Sequence, residues 1–526
     1  MKIKKSLLIY SLLFFLASCN SNVNSSSSHE EHSSISSTSS ISSITSGSSS
    51  NDVNSSDELT SSEENKNCIN VLNFNGHLES IYAEFEEYKN ASGYNVYYKN
   101  DTSSSWKQVD NELIRKYKNN YRVDILGLSQ GEYKIRIIPI VNNVEQVIAS
   151  TIKDVTVLPH VREGFAFVNG SSSGAYNDDG TLKENARVIY INNDNKDSIT
   201  LDVTGAPNSP CVGLQNILNG YKKKKDKRPL CVRIIGNITD LENLDKGDIV
   251  IDSNIQGLTI EGVGNDATLN GFGIRIKNSS NVEIRNIATM NVNSDEGDNI
   301  SLQQENDHIF IHNNDFFYGN AGSDADQVKG DGALDTKRST YVTHSYNHFF
   351  DTGKSCLQGM KDETINNFIT YHHNWFDHSD SRHPRVRTCT VHVYNNYYDG
   401  VSKYAIGATM GASIYSEGNY FRNTKFPMLI SLQGSDIKHD AEGNGTFSSE
   451  EGGIIKSFDN YIEGAKAFTS YQEDNVEFDA YVASSRDEIV PNTVKTKSGN
   501  HTYNNFDTSE SMYEYKYTSP LLAKKK

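Results

Sequence analysis

The chain is 526 residues long with a formal net charge of −17, and Tyr (29) and Phe (21) far outnumber Trp (2) and Pro (9). The length exceeds one ordinary domain, and the aromatic-rich, proline-poor composition favours β-structure over long helices. The acidic balance excludes a nucleic-acid binder, and it requires that any polyanionic ligand be received by local Lys and Arg or through a divalent cation.

In chain order, Lys2, Lys4 and Lys5 precede an apolar run from Leu7 to Leu16. The run is too short for a membrane span and reads as the export signal of a bacterial protein, residues 1–18. Leu16-Ala17-Ser18-Cys19 resembles the lipobox of bacterial lipoproteins, which implies cleavage before Cys19 and a lipid on it. The mature protein is then expected at the cell surface, held to a membrane by that anchor. Residues 19–67 are mostly Ser, Asn, Glu and Thr, have little to bury and are expected to act as a flexible tether. Cys68, Cys211, Cys231, Cys356 and Cys389 show no spacing of a disulfide framework or a zinc site, so no chemistry is assigned to them.

Residues 68–158 change to short alternating runs such as Tyr94 to Lys99 and Tyr133 to Ile137, separated by polar turns, the pattern of a small β-sandwich. The stretch from Leu128 to Ile137 resembles the fibronectin type III signature around its tyrosine corner, which implies a spacer or adhesion module in which Tyr133 fixes a turn.

Residues 159–526 are expected to form one further domain. From about Gly164 an alternating strand repeatedly ends in Asn and two mostly aromatic residues, at Asn347, Asn374, Asn396, Asn419 and Asn460, in steps of 27, 22, 23 and 41. A minimum near 22 with insertions matches one coil of a parallel β-helix, in which equivalent residues stack about 4.8 Å apart. The Asn residues are expected to hydrogen-bond to one another along the stack and to take the left-handed conformation at the bend.

Within this repeat lie Leu258-Thr-Ile-Glu-Gly-Val-Gly264, Gly271 to Ile276, Asn281 to Asn286, Asp331-Gly-Ala-Leu-Asp335, Ser345-Tyr-Asn347, Lys354 and Arg382-His-Pro-Arg-Val-Arg387. Their order resembles that of the pectate lyases of polysaccharide lyase family 1, over about residues 165 to 465. The resemblance implies an all-β chain whose main domain is a right-handed parallel β-helix. It also implies a monomeric, calcium-dependent enzyme that cleaves pectate, de-esterified polygalacturonate, by β-elimination.

β-Elimination removes a proton of low acidity beside a carboxylate, so it needs a base together with cations that neutralise the growing charge. Calcium wants several oxygens, including carboxylates. By resemblance Glu296, Asp298, Asp331 and Asp335 bind it, and the four-residue spacing of Asp331 and Asp335 is expected to set both on one side of a strand. Glu296 stands where some members carry Asp, and Tyr318 stands where others take a further ligand; Asp324 and Asp326 are acidic neighbours without a motif. By the same resemblance Arg382 abstracts the proton, Arg387 and Arg385 bind substrate or hold the site, and Lys354 contacts the substrate carboxylate. An arginine with a reference pKa above about 12 is a poor base at neutral pH, so an alkaline optimum is expected. His344, His348, His372, His373, His378 and His383 are read as packing residues. The chain departs from the family pattern at Ile309 to Asn314, where members show Asp-His after an apolar triplet.

Three other readings use the same residues: a calcium-independent pectin lyase on methyl-esterified polymer, a non-catalytic carbohydrate-binding adhesin, and an inverting hydrolase with paired carboxylates. The acidic set argues against the first, and intact Arg382 and Lys354 against the second.

Overall fold

The computed structural model describes residues 68–170, 174–223, 225–252, 257–317, 331–431, 438–439, 445–446 and 450–463. Cys19, the tether, Tyr318, Asp324 and Asp326 lie outside the described residues. Among the described residues two compact units are present: Gly76–Tyr82 and Asp124–Gly131 group with those from Thr156 onward, and the other described residues before 156 form the second. No helix among the described residues is long and apolar enough to cross a membrane.

The runs read as strands near the N-terminus are paired. Gly93–Asn100 runs antiparallel to Gly131–Val141, with Tyr98 opposite Ile135 and Asn100 opposite Tyr133. Tyr133 is buried beside Ile135 and Ile137, which face inward from the same strand as β alternation requires.

Beyond residue 156 the chain winds as a parallel β-helix whose coils each contribute strands to two sheets, one of 17 strands and one of eight. Every described pairing along these two sheets is parallel, because each coil returns the chain in the same direction one layer up. Their registers build ladders of like residues. Leu258, Val282, Ile309, Val342, Ile369, Val391, Ile414 and Ile455 lie opposite one another in succession, and all are buried in one core cluster. A second interior ladder is aromatic: Phe316, Phe349, Phe376, Tyr398 and Phe421 stack with ring centroids 4.7, 4.7, 4.9 and 4.5 Å apart. Both ladders follow from side chains repeating at the coil period, and burying such runs of aliphatic and aromatic surface drives the winding.

The Asn repeat forms the expected stack. The Nδ2 of Asn347 donates to Oδ1 of Asn374 (3.1 Å), Asn374 to Asn396 (2.9 Å), Asn396 to Asn419 (3.0 Å) and Asn419 to Asn460 (2.9 Å). Asn314 adds an earlier rung, bonded to Asn347 at 3.1 Å. Each Oδ1 also accepts the backbone N–H of the preceding rung, so the amides do more than pair with one another. The left-handed residue at each bend is the one before the ladder Asn, at Asn313, Tyr346, His373, Asn395, Gly418 and Asp459. The expectation placed it on the Asn itself. The N–H bond to the next rung explains the shift, since it holds the ladder residue at the start of the next strand. The departure at Ile309 to Asn314 is thereby accounted for: Asn314 continues the ladder, and the buried His312 packs 3.1 Å from Glu283.

Candidate active site

The sequence-predicted residues gather on the eight-stranded sheet, where Ile300–Gln303, Leu334–Thr336, Leu357–Gln358 and Arg385–Arg387 are consecutive neighbours. Ser301 lies opposite Asp335, and Leu357 opposite Arg385. The connections entering these strands are stacked as well. The N–H of Asn299 donates to Gly332 O, that of Ala333 to Lys354 O, and that of Cys356 to Arg382 O at 2.7 Å. Asp298, Asp335, Lys354 and Arg382 thus come from four successive coils, each step about 4.8 Å along the axis.

Asp298 and Asp335 are each 2% exposed. Asp335 lies within its strand and accepts the N–H of Leu357 at 2.9 Å. Asp331 precedes the strand, against the expectation that both sit on one strand face, and it turns to Lys354 Nζ at 3.0 Å. Gly332 explains the bend between them. A Cβ there would lie 2.4 Å from Asp335 Oδ1 and 2.7 Å from Asp298 Oδ1, so only glycine lets the two carboxylates close over the backbone. The Gly332 N–H donates to Asp298 Oδ1 at 2.8 Å.

Sequence reasoning missed the cation at the centre of this group. Lys337 Nζ lies 3.3 Å from Asp298 Oδ2, 3.4 Å from Asp335 Oδ2 and 3.7 Å from Glu296 Oε2. Burial works against its ammonium, but Asp335, Asp298 and Glu296 outweigh that effect and hold its pKa above the ordinary lysine value. Asp298 moves upward, chiefly through burial and next through the neighbouring Asp335 charge, with Lys337 opposing. Among the described residues no three His, Cys, Asp or Glu side chains surround a common metal position; these carboxylates are gathered about an ammonium. Their signal in the sequence is Lys337 itself, two residues after Asp335.

Arg382 is half-buried at the start of the next coil, with a left-handed backbone (φ 66°). The residue sits beside Tyr404, whose phenol burial raises against the pull of Arg385, Arg382 and Arg387. Arg385 and Arg387 face an internal partner that the sequence reading also missed. Glu450 takes Arg387 through Nε at 3.1 Å and Nη2 at 2.9 Å, and Arg385 Nη2 at 3.0 Å. Burial opposes the Glu450 charge, but Arg387 and Arg385 pull its pKa down to about 2. Glu450 arrives from the 41-residue step between Asn419 and Asn460, so only the length of that step hinted at it.

Of the histidines read as packing residues, His344, His348, His372 and His383 are buried and His373 is half-buried, whereas His378 is exposed beside Asp377. Burial lowers both His383 and His344 to about 3; the His383 Nδ1 faces Tyr404 O at 3.0 Å and His344 Nε2 faces Thr336 Oγ1 at 3.0 Å. Cys211, Cys231, Cys356 and Cys389 are free and buried, and Cys68 is disulfide-bonded.

Comparison with known proteins gives this geometry a family. A pectate lyase family model matches residues 235–472, which include every coil described above for the site. The pectate trisaccharide-lyase of Bacillus licheniformis is 32% identical over 240 residues, 45% of this chain and 69% of the relative. Pectate lyase B of Dickeya chrysanthemi is 30% identical over 264 residues, 45% and 70% respectively. A crystal structure of a pectate lyase from Bacillus sp. N165 in complex with trigalacturonate aligns at 23% identity over 63% of this chain and 98% of that one, with a TM-score of 0.46. The chain belongs to the pectate lyase family.

Proposed function

We propose that this chain is a pectate lyase that cleaves de-esterified polygalacturonate by β-elimination, with Arg382 as the base. The observation that carries the reading is the convergence of Asp298, Asp335, Lys354 and Arg382 from four successive coils onto one edge of the eight-stranded sheet.

Lys354, oriented by Asp331 at 3.0 Å, presents its ammonium to a uronate carboxylate. Arg382 removes the proton from carbon 5 of that sugar. The electron pair forms the carbon 4–carbon 5 double bond, the carbon 4–oxygen bond breaks, and the departing oxygen takes a proton from solvent. Glu296, Asp298, Asp331 and Asp335 would hold calcium, because crowded hard-oxygen donors with an upward-shifted member are stabilised by an added positive charge. When bound, calcium supplies charge neutralisation for the carboxylate beside the reacting carbon. Arg385 and Arg387 hold the strand end through Glu450, which makes them positioning cations in the described geometry.

A second reading, calcium-independent lysis of methyl-esterified pectin, has one observation in its favour: Lys337 already places a positive charge among the acids. Chelation separates the two. Product formation on polygalacturonate, followed by the ultraviolet absorbance of the unsaturated end, is expected to stop with EDTA and return with calcium. Persistence in EDTA, with preference for esterified polymer, would establish the second reading.

The proposal extends to the rest of the chain. The lipobox-like Leu16 to Cys19 supports attachment at the outer cell surface, the composition of residues 19–67 supports a tether, and the paired strands with buried Tyr133 support a fibronectin type III-like spacer over residues 68–158.

A further inference from the structure

The acidic balance of the chain is locally inverted ahead of the first coils. From Lys222 to Arg228 every residue is Lys or Arg except Asp226, in a protein of formal charge −17. The segment follows the helix Leu214–Tyr221 and enters the strand Leu230–Ile238 at the first coils of the β-helix.

The single acid in the run does not neutralise its surface. Asp226 is buried, and its carboxylate is occupied by the Thr204 N–H at 3.0 Å, the Arg228 N–H at 3.1 Å and the Arg228 guanidinium at 2.6 Å. The side-chain bond to Arg228 outweighs burial and keeps that carboxyl well below the usual range. The stem of Lys225 lies across Gly205, where a Cβ would meet it at 2.3 Å. Lys223, Lys225 and Lys227 are exposed and pair with no carboxylate among the described residues. Lys225, Lys227 and Arg228 line a surface depression of about 390 Å³ together with Thr204, Asn185 and Glu184. Unpaired ammonium groups beside a concave surface attract a polyanion electrostatically.

We propose that Lys223, Lys225 and Lys227 form a second, non-catalytic binding site for a polyuronate chain. The inference rests on the pectate reading for its choice of polyanion. Carboxylates repeating along a flexible polymer match a row of separate point charges, and lysine ammoniums suit this better than forks built for a single bidentate anion. The loop enters the coil whose eight-stranded-sheet member is Asp248–Asp252, two coils before the one that carries Ile300–Gln303. That is roughly 10 Å along the axis at about 4.8 Å per coil. A polymer held there raises the local concentration of cleavable chain without touching the reacting atoms.

The test compares the full chain with the combined variant Lys223→Glu, Lys225→Glu and Lys227→Glu, all exposed positions. The variant is expected to raise KM on long polygalacturonate about tenfold and to flatten its dependence on salt, with kcat on polymer and turnover of trigalacturonate unchanged. Retention on immobilised polygalacturonate in EDTA is expected to fall in parallel. Equal KM, equal salt dependence and equal retention would overturn the proposal. So would retention of the wild-type chain on phosphatidylglycerol vesicles but not on polygalacturonate, which would assign the loop to lipid phosphates. If neither protein yields unsaturated product while retention still differs, the lyase reading fails and the binding site stands.

Discussion

Arg382 and Lys337 are the two cations on which the site turns, and they differ in what they are held by. Arg382 is half-buried beside Tyr404. Replacing it with Ala is expected to cut turnover by at least about a hundredfold, because a group acting in proton transfer contributes on that scale. The same role predicts activity that climbs into the alkaline range; a rate flat from mildly acidic to strongly alkaline pH would count against it. Lys337 is expected to behave in the opposite way. Its removal as Lys337→Met leaves Glu296, Asp298 and Asp335 crowded with no ammonium between them, a loss of about 3 kcal/mol when one partner of a buried charge group is deleted. The melting temperature in EDTA is expected to fall, and added calcium to raise it by more than in the wild-type chain. Equal calcium-induced shifts in the two proteins would show that ammonium and metal do not share these oxygens.

At the scale of elements, the Asn ladder and the Glu450 clamp tie coils together in different ways. Asn374 is fully buried, accepts two donors from Asn347, and donates to Asn396 Oδ1 and His344 O, both at 2.9 Å. Asn374→Ala leaves several of those groups unsatisfied at once and is expected to cost about 3 kcal/mol, measured by chemical denaturation. Asn460→Ala, at the partly buried last rung, is expected to cost clearly less. The Glu450 clamp carries a pH signature. Its folded pKa of about 2 lies below the ordinary glutamate value of 4.5, so the stabilisation is complete above the unfolded value and is lost as pH falls through the folded one. Wild type is expected to exceed Glu450→Gln by about 2 kcal/mol at neutral pH, after allowance for solvent screening. The gap should close between about pH 4.5 and pH 2. A gap that widened on acidification would contradict the assignment.

At the scale of the whole molecule, the β-helix unit includes sequence from well before its first coil. Glu79 is 1% exposed; it binds the Arg162 guanidinium and Arg285 Nη1 at 3.1 Å, and its N–H donates to Leu158 O at 2.7 Å. A chain begun at residue 159 lacks this carboxylate and leaves Arg162 and Arg285 with one acid fewer in a buried setting. Such a truncation, or Glu79→Gln in the full chain, is expected to lower stability by about 3 kcal/mol, since deleting one partner strands the other charges. Calorimetry on the substituted full chain isolates this effect from the loss of the remaining N-terminal residues.

The sequence by itself determined the coil and named most of the candidate set. Asn, aromatic and aliphatic residues recur at the coil period, so their stacking was legible from spacing alone. Asp298, Asp331, Asp335, Lys354 and Arg382 were legible because their order along the chain resembles a family motif. Tertiary structure decided the pairings that spacing does not encode. Lys337 meets Asp298 from 39 residues away, Arg387 meets Glu450 from 63, and Arg285 meets Glu79 from 206. Each of these is a single charge brought beside another by winding the chain, with no periodic neighbour to mark it. The same winding separates the roles of cations that look alike in sequence: Arg385 and Arg387 are neutralised by Glu450, and Lys223, Lys225 and Lys227 are left facing solvent.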